Sequence, residues 1–241
     1  MAMEKLNVNT GEYVSRIYIC DGLDSSCGDA AGTSGLAPQE TAQMQVQSGI
    51  PQHIVVERNS KADVVILIMP GVSCDIKLDV SLVGEGAEAN IYGAYVCGAD
   101  ERVKIAVDMH HDVPHCNSRQ LFKGIAGGAS KVDFYGKIIV AQDAQRTEAY
   151  QENHNILLSD DARVDTKPQL EIYADDVKCS HGATIGRLNE EEQFYMRSRG
   201  ITLEDAKVLQ MISFLAPVLE NIPESDRACL SSRIEEAIRT L

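Results

Sequence analysis

Residues 74–82, Cys74-Asp75-Ile76-Lys77-Leu78-Asp79-Val80-Ser81-Leu82, carry an apolar side chain at every second position. That period of two belongs to a strand with one buried and one exposed face. Runs of the same β-rich kind lie on both sides. His53 to Glu57, Asp63 to Met69, Ala89 to Val96 and Val103 to Asp108 are four, and Lys131 to Val140, Arg163 to Tyr173 and Asp176 to Lys178 continue the series. Small or acidic turns place an alanine near the next strand, at Ala62, Ala87, Ala129, Ala144 and Ala162. The spacing of these alanines is irregular. Many short strands joined by Gly/Asp/Ala turns fit coils stacked into a β-solenoid, and an ordinary β-sandwich gives a similar string.

The composition suits a thin core. The chain has 241 residues, 18 of them Gly, with no Trp and 5% aromatic residues. A narrow interior filled by Val, Ile, Leu and Ala has no use for large rings. Apolar residues at 44% and charged residues at 24% are those of a globular protein. A net charge of −14 argues against a main task of gripping phosphate backbones or anionic lipid, so neither nucleic acid nor membrane is an expected partner. The longest apolar run, Val64 to Met69, is far short of the roughly 18–20 residues that span a bilayer. Met1 to Thr10 is polar and reads as no signal peptide. The seven cysteines include no Cys-x-x-Cys pair, which predicts reduced thiols in the cytoplasm.

Three regions follow: an irregular segment over 1–50, a β core over 51–188 and a helical tail over 189–241. The tail has marked boundaries. Asn189 with Glu192 forms a helix start, and Gly200 suits the position after a helix end. Thr202 opens a second helix with an apolar stripe of Leu203, Ala206, Leu209, Met211, Ile212 and Leu215, and Pro217 is expected to break or kink it. A third helix runs from about Glu224 to Arg239, with Leu230, Ile234, Ala237 and Ile238 on one side.

Few local motifs carry chemistry. Val83-Gly84-Glu85-Gly86-Ala87-Glu88-Ala89 has the spacing of a dinucleotide loop, but a strand follows where the pyrophosphate needs a helix N-terminus, so it reads as a turn. No phosphate-binding P-loop is present. His110, His111, His115 and Cys116 form the densest group of soft ligands, which would serve a metal-dependent hydrolase; as polar histidines on a turn they are structural. Cys179-Ser180-His181 puts a thiol and an imidazole two residues apart, on one face of an extended chain.

Longer motifs surround that pair. Pro168 to Gly186, reading PQLEIYADDVKCSHGATIG, resembles the SufB/SufD family of iron–sulfur cluster assembly proteins. Phe194 to Ile201 (FYMRSRGI), Gln142 to Gln151 (QDAQRTEAYQ) and Asn155 to Asp160 (NILLSD) resemble further family motifs, in the family's order. The resemblance implies a mainly β fold, a right-handed parallel β-helix (β-solenoid) with a C-terminal α-helical segment. It implies a non-catalytic cytoplasmic scaffold subunit, paired as a homodimer or as a heterodimer with a SufB/SufD-type subunit, that holds a transient, nascent iron–sulfur cluster. It also implies a SufC-like ABC ATPase docked on the helical tail. Whether a flavin takes part it leaves open. In its SufD-like form the Cys-Ser-His motif falls on Cys179 and His181. SufB-like members carry a cluster-holding Cys about one coil earlier, and alignment on Leu157-Leu158 puts His154 there. The implied ligands are therefore Cys179, His181 and His154. In a second reading Cys179 is a small buried residue and His181 a hydrogen-bonded interface residue, with all ligands supplied by the partner; in a third the chain is a purely structural adaptor that binds the ATPase and no metal. The family is usually longer at its N-terminus, and Cys20 and Cys27 match none of its motifs.

Overall fold

The computed structural model describes residues 5–21, 45–47 and 49–241. Two parallel sheets face each other, and the chain alternates between them. The first contains β1 (Lys5–Val8), β4 (His53–Val56), β6 (Cys74–Leu82), β8 (Arg102–His111), β10 (Lys131–Val140) and β12 (Arg163–Ile172) in that spatial order. The second contains β3 (Gln45–Gln47), β2 (Tyr13–Cys20), β5 (Lys61–Ile68), β7 (Glu88–Cys97), β9 (Asn117–Ala126), β11 (Glu148–Leu157) and β13 (Lys178–Gly186). Each turn of the solenoid gives one strand to each sheet. All pairings are parallel, whereas a sandwich of hairpins would be antiparallel.

The true repeat is one full coil, and it is more even than the alanine spacing suggests. Lys61, Glu88, Asn117, Glu148 and Lys178 stand side by side, one from each successive coil. The alanine series mixes turns from both corners of the coil. At the corner entering the second sheet the equivalent residues are Ser60, Ala87, Cys116 and Thr147, all buried. Thr147 Oγ1 donates to Ala144 O at 2.9 Å and closes its own turn, whereas Cys116 Sγ lies 3.4 Å from Gly84 O in the turn of the preceding coil and links the two corners.

The interior is filled by alternate residues stacked in columns, and large rings sit over glycines. The Phe122 ring occupies the space above Gly93, and the Tyr95 ring that above Gly124. Phe122 and Phe134 also pack across the interior, with ring centroids 4.9 Å apart. Glycine thus makes room for the few aromatics of a core that the composition leaves short of them.

Within the segment 1–50, the described residues Lys5–Val8 and Tyr13–Cys20 are the regular strands β1 and β2, one in each sheet, and form a first turn of the solenoid. Tyr13-Val14-Ser15-Arg16-Ile17-Tyr18-Ile19-Cys20 alternates well enough, but its partner β5 lies far along the chain. Strands β9 and β11 escape the sequence pattern because their inward positions include Ser118, Gln120, Gln151, Asn153 and Asn155, which break the apolar alternation. The end expected at Asp176 to Lys178 becomes the nine-residue strand β13.

Three helices follow, α1 (Glu190–Ser198), α2 (Leu203–Leu219) and α3 (Glu224–Arg239). Asn189 accepts from the N–H groups of Glu191 and Glu192, and Thr202 from that of Asp205. Gly200, at φ +89°, follows the first helix. Pro217 does not break α2, which continues to Leu219; both Pro217 and Ser213, whose carbonyl loses its partner, face solvent. Val208, Met211, Leu215 and Val218 of α2, with Leu230, Ile234 and Ile238 of α3, cover Ile17, Val65, Leu67, Tyr92 and Leu121 on the outer face of the second sheet. Leu203 and Leu209 are exposed instead of belonging to the buried stripe. This second core explains the apolar run Val64 to Ile68, a strand buried on both faces.

Candidate functional site

Strands β12 and β13 each have a hydrogen-bonded neighbour on one side only, so the last turn leaves its interior open. Cys179 pairs with Ala149 and His181 with Gln151, and both partners are buried inward residues. The thiol and the imidazole therefore share the inner face, at the end of two columns. One column reads Ala62, Ala89, Ser118, Ala149, Cys179; the other reads Val64, Ile91, Gln120, Gln151, His181. Cys179 is half-buried against the interior core, while His181 is exposed. Burial pushes the Cys179 thiol up, opposed by a hydrogen bond from the Ala149 backbone. Burial therefore favours the neutral thiol over the thiolate at this position.

The columns turn polar as they approach this end. Gln151 Nε2 donates to Gln120 Oε1 at 2.9 Å, directly beneath His181. Tyr95 bonds Asn155, whose amide also donates to Asn153 Oδ1 at 2.7 Å. Gln120 Nε2, Gln151 Oε1, Asn153 Nδ2 and Thr166 Oγ1 are buried with hydrogen-bonding capacity unfilled. Sequence reading misses these amides. Their one signal is the recurrence of glutamine at 120 and 151, one coil apart.

His154 lies elsewhere. It pairs with Thr184, which has the opposite parity to Cys179 and His181, so it sits on the outer face of β11. Its Nδ1 is 2.8 Å from Thr184 Oγ1, and its Nε2 is 3.6 Å from Glu152. Within one chain the sheet separates His154 from the other two. Among the described residues no three His, Cys, Asp or Glu side chains converge as a metal site.

The His110, His111, His115 and Cys116 group also fails to converge, because neighbours on a strand point to opposite faces. His110 faces out, 3.7 Å from Asp79. His111 is fully buried, with Nε2 2.8 Å from Ser118 Oγ, contrary to its expected place on a polar turn. His115 sits in the turn at φ +60°, and Cys116 fills the corner column. Gly84 to Ala87 is a turn leading into β7, as its sequence predicts. Cys27 lies outside the described residues. No helix among the described residues is long and apolar enough to cross a membrane.

Fold and site together define a parallel β-solenoid that presents a thiol–imidazole pair at an open end. Residues 39–214 match the family described as SUF system FeS cluster assembly, SufBD core domain. The chain belongs to the SufB/SufD family of iron–sulfur cluster assembly proteins. It is 51% identical over 112 residues to the iron–sulfur cluster assembly protein SufD of Escherichia coli, covering 46% of this chain and 26% of that protein. It is similar to an iron–sulfur cluster assembly SufBD family protein of Synechocystis, 46% identical over 125 residues, 50% of this chain and 28% of the relative. It also resembles the chloroplastic protein ABCI7 of Arabidopsis thaliana, 39% identical over 133 residues, 55% of this chain and 28% of the relative. These matches span only about a quarter of each relative's length.

Proposed function

We propose that the chain is the β-solenoid core of a scaffold subunit on which iron and sulfide are assembled into a nascent cluster. The observation that carries this reading is Cys179 and His181 side by side on the inner face of the edge strand β13, which is paired on one side only. Thiolate and imidazole are borderline-to-soft donors suited to iron in such clusters. Two ligands from one chain are too few. A second SufB/SufD-type subunit, identical or related, would supply the rest by meeting this open end. Exposed Ile172, Tyr173 and Ile185 beside it are the apolar surface such pairing would cover. His154 would enter the ligand set only if a second subunit presented it. The scaffold performs no catalysis in this reading, and the cluster is its cargo.

The test is anaerobic reconstitution of the full chain, with its paired subunit, using ferrous iron and sulfide. Cys179→Ala/His181→Ala is expected to lose most of the visible absorbance of the cluster while keeping its far-ultraviolet circular dichroism. Cluster loading equal to that of the wild type would remove the ligand role and leave the adaptor reading.

The helical tail is the proposed dock for a SufC-like ABC ATPase. Deleting residues 202–241 would not test this cleanly, because α2 and α3 cover the outer face of the second sheet. Phe194 and Tyr195 on α1, 73% and 59% exposed, are better probes. Phe194→Ala/Tyr195→Ala is expected to weaken ATPase binding at least tenfold with no change in thermal midpoint. Unchanged affinity by calorimetry would place the dock elsewhere.

A further inference from the structure

Beneath His181 the solenoid interior carries a ladder of two amides. Gln120 and Gln151 are buried, inward and adjacent in register, and Gln151 stands in register with His181 on the edge strand β13. Neighbouring strands lie about 4.8 Å apart, so a glutamine side chain spans the gap to the next coil. The Gln151 amide is held from two directions. Its Nε2 donates to Gln120 Oε1 at 2.9 Å, and it fills the space over Gly136 of the facing strand β10, where a Cβ would meet it. The two heteroatoms of an amide diverge from one carbon. With Nε2 turned back to the preceding coil, Oε1 is turned to the coil that carries His181, and there it has no hydrogen-bond partner among the described residues. The His181 ring has none among them either. Thr166 Oγ1, from strand β12, is also unfilled at this end. A hydroxyl both gives and accepts, so it selects no tautomer of an imidazole, whereas a pinned amide oxygen only accepts and selects the tautomer that donates to it. Asn153 Nδ2, the remaining unfilled donor of β11, stands in the next column, beneath Ala183.

Taking His181 as an iron ligand, as proposed above, we propose that Gln151 is its positioning residue: Gln151 Oε1 accepts the N–H of one ring nitrogen and leaves the other nitrogen, with its lone pair, free for iron. The bond forms when the second subunit covers the open end. Water serves the ring while that end is open. Once water is excluded, a ring N–H and an amide oxygen on neighbouring strands would both be buried unpaired, and joining them removes both costs. Gln120 takes part by fixing the rotation of the Gln151 amide, so that an oxygen and not an NH2 group faces His181. An acceptor on the far nitrogen is the usual means by which a metal-binding imidazole is held in one tautomer and one orientation.

The test reads the tautomer directly, without iron. The full chain with its paired subunit, labelled with nitrogen-15 histidine, is studied by NMR at about pH 8.5, well above the ordinary imidazole pKa. The His181 signals are those absent from His181→Ala. The expected result is one protonated and one bare ring nitrogen in the wild type, and a mixture of the two tautomers in Gln151→Met. Gln120→Met/Gln151→Met, which removes both amides and leaves neither unpaired, is expected to show the same mixture with an unchanged far-ultraviolet circular dichroism spectrum. Thr166→Val is expected to keep the single tautomer. Ferrous iron is expected to bind Gln151→Met about tenfold more weakly than the wild type. A His181 tautomer that is the same in the wild type and in both methionine variants overturns the proposal, whatever the iron affinity. If Cys179→Ala/His181→Ala loads cluster like the wild type while Gln151→Met still mixes the tautomers, the hydrogen bond stands and it is the ligand role of His181 that fails.

Discussion

Gly124→Ala is expected to destabilise the chain by about 3 kcal/mol, more than any surface change. Gly124 stands in an inner column between Tyr95 of the preceding coil and Asn155 of the next. A methyl group there would overlap the Tyr95 ring. That ring is fully buried and its hydroxyl bonds Asn155, so it has no free space to move into. Interiors packed to crystal density respond to an added methyl by strain rather than by absorbing it. Urea unfolding followed by circular dichroism measures the loss. A double-mutant cycle identifies its cause: in a Tyr95→Leu background, Gly124→Ala is expected to add less than about 1 kcal/mol, because the overlapping atoms are gone. Equal effects in both backgrounds would show that the glycine serves the backbone and not the ring.

The second large effect is on acid stability. His111 is fully buried, one ring nitrogen meets Ser118 Oγ, and the other, Nδ1, has no partner among the described residues. Burial, with a smaller contribution from the neighbouring charge on His110, pushes its pKa from 6.5 down to about 4. The unfolded chain takes up a proton near pH 6.5, and the folded chain resists it until about pH 4. The unfolded state therefore binds more protons across this window, and stability falls as pH drops through it. At about 1.4 kcal/mol per pH unit, the loss comes to roughly 3 kcal/mol. His111→Gln keeps a donor for Ser118 and removes the titration. Between pH 6.5 and 4 the wild type is expected to lose about 3 kcal/mol more than His111→Gln, measured as urea midpoints at each pH. Parallel curves for the two proteins would sink this assignment.

Both effects arise at positions whose significance the local pattern conceals. Gly124 follows Lys123 in a strand that alternation does not reveal, and His111 reads in the sequence like the part-exposed His110 and the exposed His115. Much of the fold is nonetheless legible. Alternation over 74–82 marks β6, Lys131 to Val140 is bounded to the residue, and Asn189 and Thr202 mark two helix starts through their side-chain oxygens. The period of two also places Cys179 and His181 on one face. Residues 168–186 and the motifs around them point to the family.

The sequence by itself thus determined the strands with apolar faces, the helix starts and the family, because each depends on residues within a few positions of one another. The tertiary structure alone decided which residues meet across coils. The coil length varies along the second sheet, so no fixed period predicts the register. That register buries Gln120 and Gln151 beneath His181 and sets Tyr95 over Gly124. It also sends His154 to the outer face, where the thickness of a sheet divides it from the Cys179–His181 pair.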